Sequence, residues 1–176
     1  MNDSTEQALA EFFDRLGFPI ISMEKLRAAQ GGWGKVPDSY IVPRYEHPTF
    51  ADSPGFAQAL IVDRGTSYIL DVLHQSGAGS TDEKAAAAWL ETLKSPIANR
   101  IELFSGDFWT AKERGQAVVL WLKGQAAATQ TGTPRGHRVE AMLQEWAVSQ
   151  GKKLYVAATK SERDAIIRQL FPREAA

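Results

Sequence analysis

Cysteine is absent from the 176 residues, which excludes a disulfide scaffold, thiolate catalysis and cysteine-ligated zinc or iron–sulfur sites. The same absence fits a reducing compartment, and a cytoplasmic location is expected. Histidine is nearly as scarce. His47, His74 and His137 share no metal-ligand spacing and HExxH is missing, so no metal site is expected. No DxD or ExK pattern accompanies Asp63 or Asp71, which leaves a magnesium site without support. The P-loop pattern GxxxxGK[ST] and the serine-nucleophile patterns GxSxG and SxxK are also missing. No cofactor follows from the residues. The N-terminal stretch carries Asp3, Glu6, Glu11 and Asp14 without the basic flank and apolar core of a signal peptide. The longest apolar window, Ala117 to Leu122, is far below spanning length, so membrane insertion is not expected.

What is present suits a single globular unit over residues 1–176. An apolar fraction of 44% with net charge -1 argues against a solvated, disordered chain. The charge is uneven. Residues 1–95 hold 8 Lys/Arg against 13 Asp/Glu, and residues 96–176 hold 12 against 8, a swing from -5 to +4. The C-terminal part therefore offers a mildly basic surface to an anion, a nucleotide or an acidic partner.

The most apolar ribbon runs from Ala57 to Leu73. Strands are expected over 57–62 and 66–73, joined by Asp63-Arg64-Gly65, with Gly65 free to take positive φ. Before it, Leu9, Phe12, Phe13 and Leu16 form one stripe of a helix over 4–17, and a short helix follows over 22–30. GGWGKVPDSY, residues 31–40, reads as a connecting loop around Trp33, and Ser39 to Pro43 as a short strand. Arg44, Glu46 and His47 are assigned to the Pro-bounded loop after it, where sites tend to lie. Beyond the hairpin, Ser80 and Glu83 have capping-box spacing for a helix to about Leu93, stopped by Ser95-Pro96. Ile101 and Leu103 alternate with Glu102 in a strand, and Thr110 with Glu113 caps the next helix. Thr133-Pro134 suits the start of a helix to Ser149 whose core face is Val139, Met142, Leu143 and Trp146. A buried strand over 154–158 and a helix capped by Thr159 close the chain. The fold class expected is α+β, a small sheet built around the central hairpin and packed by five or six helices.

Tyr68-Ile69-Leu70-Asp71 running into Val72-Leu73-His74-Gln75, followed by an alanine-rich helix, resembles the strand-to-helix corner of ParB/sulfiredoxin-like proteins. On that resemblance Asp71, His74 and Gln75 occupy the corner, Arg44 lies upstream, and Asp71, His74 and Arg44 are the catalytic candidates. Val72 replaces the family's glycine, and Gln75 stands where a phosphate-holding arginine belongs. Plasmid-encoded fertility-inhibition proteins are similar to this fold, which implies a bacterial modulator that binds a protein or nucleoprotein partner and inhibits conjugative transfer. A rival pattern, Phe104 to Ala117, looks like the strand, aromatic-Ser/Thr turn and helix of ADP-ribosyltransferase-like, NAD-using enzymes. That resemblance implies roles for Thr110, for Arg44 or His47 and for Glu162.

The basic residues Arg135, Arg138, Lys152, Lys153 and Lys160 are candidates for anion or nucleic-acid binding, the third reading, with weak hydrolysis attached. If the chain is a modulator, exposed Trp33 and Trp109 are the candidate anchors for a partner. The three readings separate geometrically. A cleft joining Arg44, Thr110 and Glu162 favours the transferase, a basic patch of Arg135, Lys152 and Lys160 beside Asp71 favours nucleic acid, and neither favours protein binding.

Overall fold

The computed structural model describes residues 3–47, 55–74, 88–124 and 137–173. Helix α1 spans Asp3–Leu16 and α2 spans Met23–Gln30. Ser22 caps α2 by accepting the Lys25 amide at 3.0 Å. Three strands then form an antiparallel meander, β1 over Ser39–His47, β2 over Gly55–Asp63 and β3 over Thr66–His74. The expected hairpin is its centre. Arg64 and Gly65 form the two-residue turn with φ of 49° and 89°, the positive pair whose twist matches that of the strands. The Arg64 amide donates to the Asp38 carbonyl at 2.8 Å and pins the entry to β1 against this turn.

From β3 onward the pairing becomes parallel. Helix α3 spans Ala88–Lys94, β4 Asn99–Ser105, α4 Phe108–Ala111 and α5 Glu113–Leu122. Helix α6 spans His137–Ser149, β5 Lys153–Ala157 and α7 Lys160–Leu170. The sheet order is β1-β2-β3-β4-β5, with β4 parallel to both of its neighbours. This is a mixed α+β architecture with the hairpin inside a five-stranded sheet. Among the described residues no helix is long and apolar enough to cross a membrane.

Alternation along the strands sends successive side chains to opposite faces. On one face Ile61, Leu70, Ile101 and Leu103 pack under Phe12 and Leu16 of α1 and Ile166 of α7. The other face carries two apolar clusters. One joins Val42, Leu60 and Ile69 to Leu26 of α2, and the other joins Phe104 and Val156 to Trp89, Trp109, Trp121 and Ala147. Each such aliphatic side chain contributes about 1.5–3 kcal/mol on burial. By register, Asp71, Arg100 and Glu102 lie on that same face between the two clusters.

Several expectations are corrected. Strand β1 runs on through His47, so Arg44 sits within a strand; its φ of 53° interrupts the pairing without shifting the register. Thr110 lies inside the one-turn helix α4 and is not a cap, because the chain breaks at the extended Lys112 and α5 starts at Glu113. Gly115 makes this fold-back possible, since a Cβ there would collide with the Phe108 carbonyl oxygen. Met142 and Trp146 face outward, 66% and 60% exposed, while Ala147 takes the core position. Helix α6 is seated through Ala147 and the half-buried Leu143, one turn apart, which turns the 142/146 row away from the core. The expected start at Thr133 and the Ser80–Glu83 cap lie outside the described residues.

Candidate functional site

The β2–β3 ladder runs from Asp63↔Thr66 to Ala59↔Leu70 and stops, although both strands continue. Beyond that point Ala57 and Phe56 pair only with β1, and Asp71 to His74 only with β4. The sheet forks there, with Asp71 at the junction. Asp71 Oδ1 accepts the Gln58 backbone amide at 3.1 Å, taking the place of a strand carbonyl. Its other oxygen accepts from Arg100 Nη2, and Arg100 Nε donates to Glu102 Oε1 at 2.7 Å. The Arg100 and Glu102 side chains are each 8% exposed, and that of Asp71 is 22% exposed.

Helix α3 closes over this group and leaves a cavity of about 170 Å³, to which Ala88 and Glu91 contribute from above. Burial pushes the Glu102 carboxyl up against the pull of Arg100, and Asp71 and Glu91 add to the rise. Burial works to lower the Arg100 pKa, but Glu102 and Asp71 outweigh it and hold the guanidinium above its ordinary range. Arg100, held between the Asp71 and Glu102 carboxylates, ties β3 to β4.

The proposed corner does not converge. Asp71 and His74 are three residues apart on one strand and therefore point to opposite faces. His74 Nδ1 lies 3.3 Å from Ser105 Oγ. Arg44 is exposed on the edge strand β1, two strands from Asp71. Gln75 and Arg135 lie outside the described residues, and of Arg138, His137 and His47 only the backbone is described. The remaining basic candidates are dispersed. Lys152 Nζ donates to the Ser95 carbonyl at 2.6 Å, Lys153 is exposed at the start of β5, and Lys160 pairs with Glu11 at 3.1 Å. That contact with Lys160 leads the lowering of the Glu11 carboxyl. Glu162 caps α7 and also meets Lys123, whose pKa burial pulls down. Thr110, Arg44 and Glu162 belong to α4, the edge strand β1 and α7, and none of them lines the cavity under α3.

Of the two tryptophan anchors, Trp33 is 81% exposed in the loop after α2. Trp109 is the reverse of the expectation. It is 1% exposed, stacked on Phe104 at 4.5 Å between centroids, and unable to touch a partner. The sheet needs an apolar lid over Phe104, and the Gly115 fold-back delivers Trp109 to it. Among the described residues no group of three or more His, Asp or Glu is placed to hold a metal.

The open apolar surface lies elsewhere, on α3 and α6. Leu90 and Leu93 of α3 and Leu143 and Trp146 of α6 wall a groove of about 470 Å³, to which Lys94 and Lys152 also contribute. Beside it, Met142 and Glu145 continue the hollow along α6. Two features escaped the sequence reading. Arg100 and Glu102, opposite charges at i and i+2 on a strand, share a face, and that spacing was the available signal. For Trp146 no local signal existed, because helical spacing does not tell the inner row from the outer one.

Comparison with protein-family models, with curated proteins and with solved structures finds no match for this chain.

Proposed function

We propose that this chain is a non-enzymatic modulator that binds a protein partner through the α3–α6 groove. The observation that carries this is Trp146, a large aromatic 60% exposed beside Met142 and above the leucine walls of the groove. Isolated exposed apolar residues need no explanation, but a contiguous row with an adjoining hollow marks an interaction site. Tryptophan is the residue most enriched among binding hot spots. The groove lies between two neighbouring helices, the shape that accepts the apolar face of a third. Its lining is mostly apolar, with Leu90, Leu93, Leu143 and Trp146, so the occupant is an amphipathic helical segment that lays its apolar stripe into the groove. Among the described residues Arg44, Thr110 and Glu162 belong to separate elements, and Lys152 precedes β5 while Lys160 lies in α7, which favours the protein-binding reading over the transferase and nucleic-acid ones.

The test is site-directed photo-crosslinking in the source cell from a probe at Ser149, on the rim of the hollow. One discrete protein adduct, abolished by Trp146→Ala and by Leu93→Asp but retained by Trp33→Ala, is the expected result. Trp146→Ala should leave the thermal midpoint nearly unchanged, because an exposed side chain contributes little to folding. Whether the partner belongs to a conjugative system, as the sequence resemblance implies, is read from the identity of the adduct. An adduct only with a second copy of this chain, or recovery of nucleic acid alone that is lost at raised salt, overturns the reading.

A further inference from the structure

A second cavity, of about 310 Å³, opens between the C-terminal ends of α1 and α7. Arg15, Arg168 and Arg173 all line it, and among the described residues no carboxylate does. Arg15 belongs to the last turn of α1 and Arg168 to the last turn of α7, while Arg173 comes from the segment after α7. The adjoining cavity is different. There Glu11, Asp14 and Asp164 balance Arg15, Lys160 and Arg163, and Glu11 binds both Lys160 and Arg163 within 3.2 Å. No comparable pairing engages Arg168 or Arg173 among the described residues.

A cation in the last turn of a helix complements the helix dipole, which accounts for Arg15 and Arg168 taken singly. It does not account for the third. Arg173 is past the end of α7 and is held by the face of the Phe18 ring, 4.1 Å from its centroid. Phe18 is itself fixed edge-on against the buried Phe171, with centroids 5.7 Å apart. One guanidinium is thus pre-positioned beside two others around a single hollow, where like charges repel unless an anion shares the space.

We propose that this notch binds a phosphate dianion, free or as a monoester. The guanidinium fork matches phosphate oxygens two at a time, and three forks suit a dianion better than a single carboxylate. The cations gather around one hollow and do not form a stripe, which is the arrangement for a terminal phosphate and not for a nucleic-acid backbone. Leu16, Ile167 and Phe171 supply an apolar floor against which the organic part of a monoester would rest. The notch is separate from the α3–α6 groove, and the inference does not rest on the protein-binding reading.

The experiment is an NMR titration of the full chain with inorganic phosphate in low-chloride buffer, following the arginine side-chain N–H signals. Saturable shifts at Arg15, Arg168 and Arg173 are expected. Arg168→Gln and Arg173→Gln should each weaken binding about tenfold, the loss of one charge-assisted contact. Arg168→Lys, which keeps the charge and loses the fork, should fall between Arg168→Gln and the unaltered chain. Arg44→Gln, at the far edge strand, should change nothing, and the thermal midpoints of all four should agree. Adenosine monophosphate serves as the second probe: binding at least as tight as phosphate identifies a monoester, and weaker binding identifies the free ion. Absence of saturation, equal weakening by Arg44→Gln, or a single-stranded oligonucleotide that phosphate does not displace would each overturn the proposal.

Discussion

Replacing Arg100 by methionine is the perturbation with the largest calculable consequence. The substitution keeps the aliphatic stem and removes the guanidinium that pairs with both Asp71 and Glu102. Two carboxylates then remain under α3 without the guanidinium, while the Gln58 backbone amide still donates to Asp71. Removing one partner of a buried ionic group costs about 3–5 kcal/mol, since the remaining charge is left uncompensated. Against a domain stability of about 5–15 kcal/mol, that loss is about a fifth of the total or more. At about 2–4 °C per kcal/mol for a chain of this size, the thermal midpoint falls by about 6–20 °C.

The loss depends on pH, with a definite sign. Burial raises the Glu102 pKa above its unfolded value, so the folded state binds the extra proton between the two pKa values. Stability from this group is therefore full below the unfolded pKa and falls as pH rises through the folded one. Without Arg100 the folded pKa rises further and the window widens. The penalty then grows with pH by up to about 1.4 kcal/mol per pH unit for one proton. Urea unfolding of both proteins from pH 5 to pH 8 measures this, and Arg100→Met/Glu102→Leu should recover part of the loss. A difference below about 1 kcal/mol at pH 8, or one independent of pH, would refute the view that Arg100 holds a buried charge cluster together.

Gly115→Ala should destabilise by about 1–3 kcal/mol although alanine is the better helix former, because its Cβ would collide with the Phe108 carbonyl; a raised melting temperature would contradict the α4–α5 fold-back. Arg64→Asn should stabilise the chain by a few tenths of a kcal/mol, up to about 1, since asparagine tolerates the positive φ at that turn position better. Differential scanning calorimetry on the pair decides it, and a lower midpoint would count against the two-residue turn. Thr159→Ala removes the hydroxyl that accepts the Glu162 amide at 3.1 Å and should cost about 1 kcal/mol, with faster amide exchange confined to the first turn of α7. Uniformly faster exchange throughout the chain would show that the cap is not a local device.

Much of the fold was legible because it is written in local chemistry. The Arg64-Gly65 turn and its apolar flanks specify the β2–β3 hairpin. Ser22 and Thr159 mark helix starts by accepting the amides that a helix leaves free. The candidate surface was much less legible. Trp33 and Trp109 both follow glycine-bearing stretches in the sequence, yet one is exposed in a loop and the other lies in α4 stacked on Phe104. Trp146 fits an apolar stripe of α6 as well as Leu143 does, and it faces solvent. Thr110 and Glu113 have the spacing of a cap, but the chain uses Thr110 inside α4.

The sequence by itself determined which residues share a face: alternation groups Arg100 with Glu102, and helical spacing groups Met142 with Trp146. Only the tertiary structure decided which face would be covered. Helix α3 lies over the strand face that carries Arg100 and Glu102, so an alternating charge that reads as solvated becomes a buried pair. Helix α6 is seated through Ala147, so an apolar row that reads as core becomes an open groove. Periodicity is set by backbone geometry within a few residues. Coverage depends on contacts between elements far apart in the chain, such as α3 against α6, which no local pattern encodes.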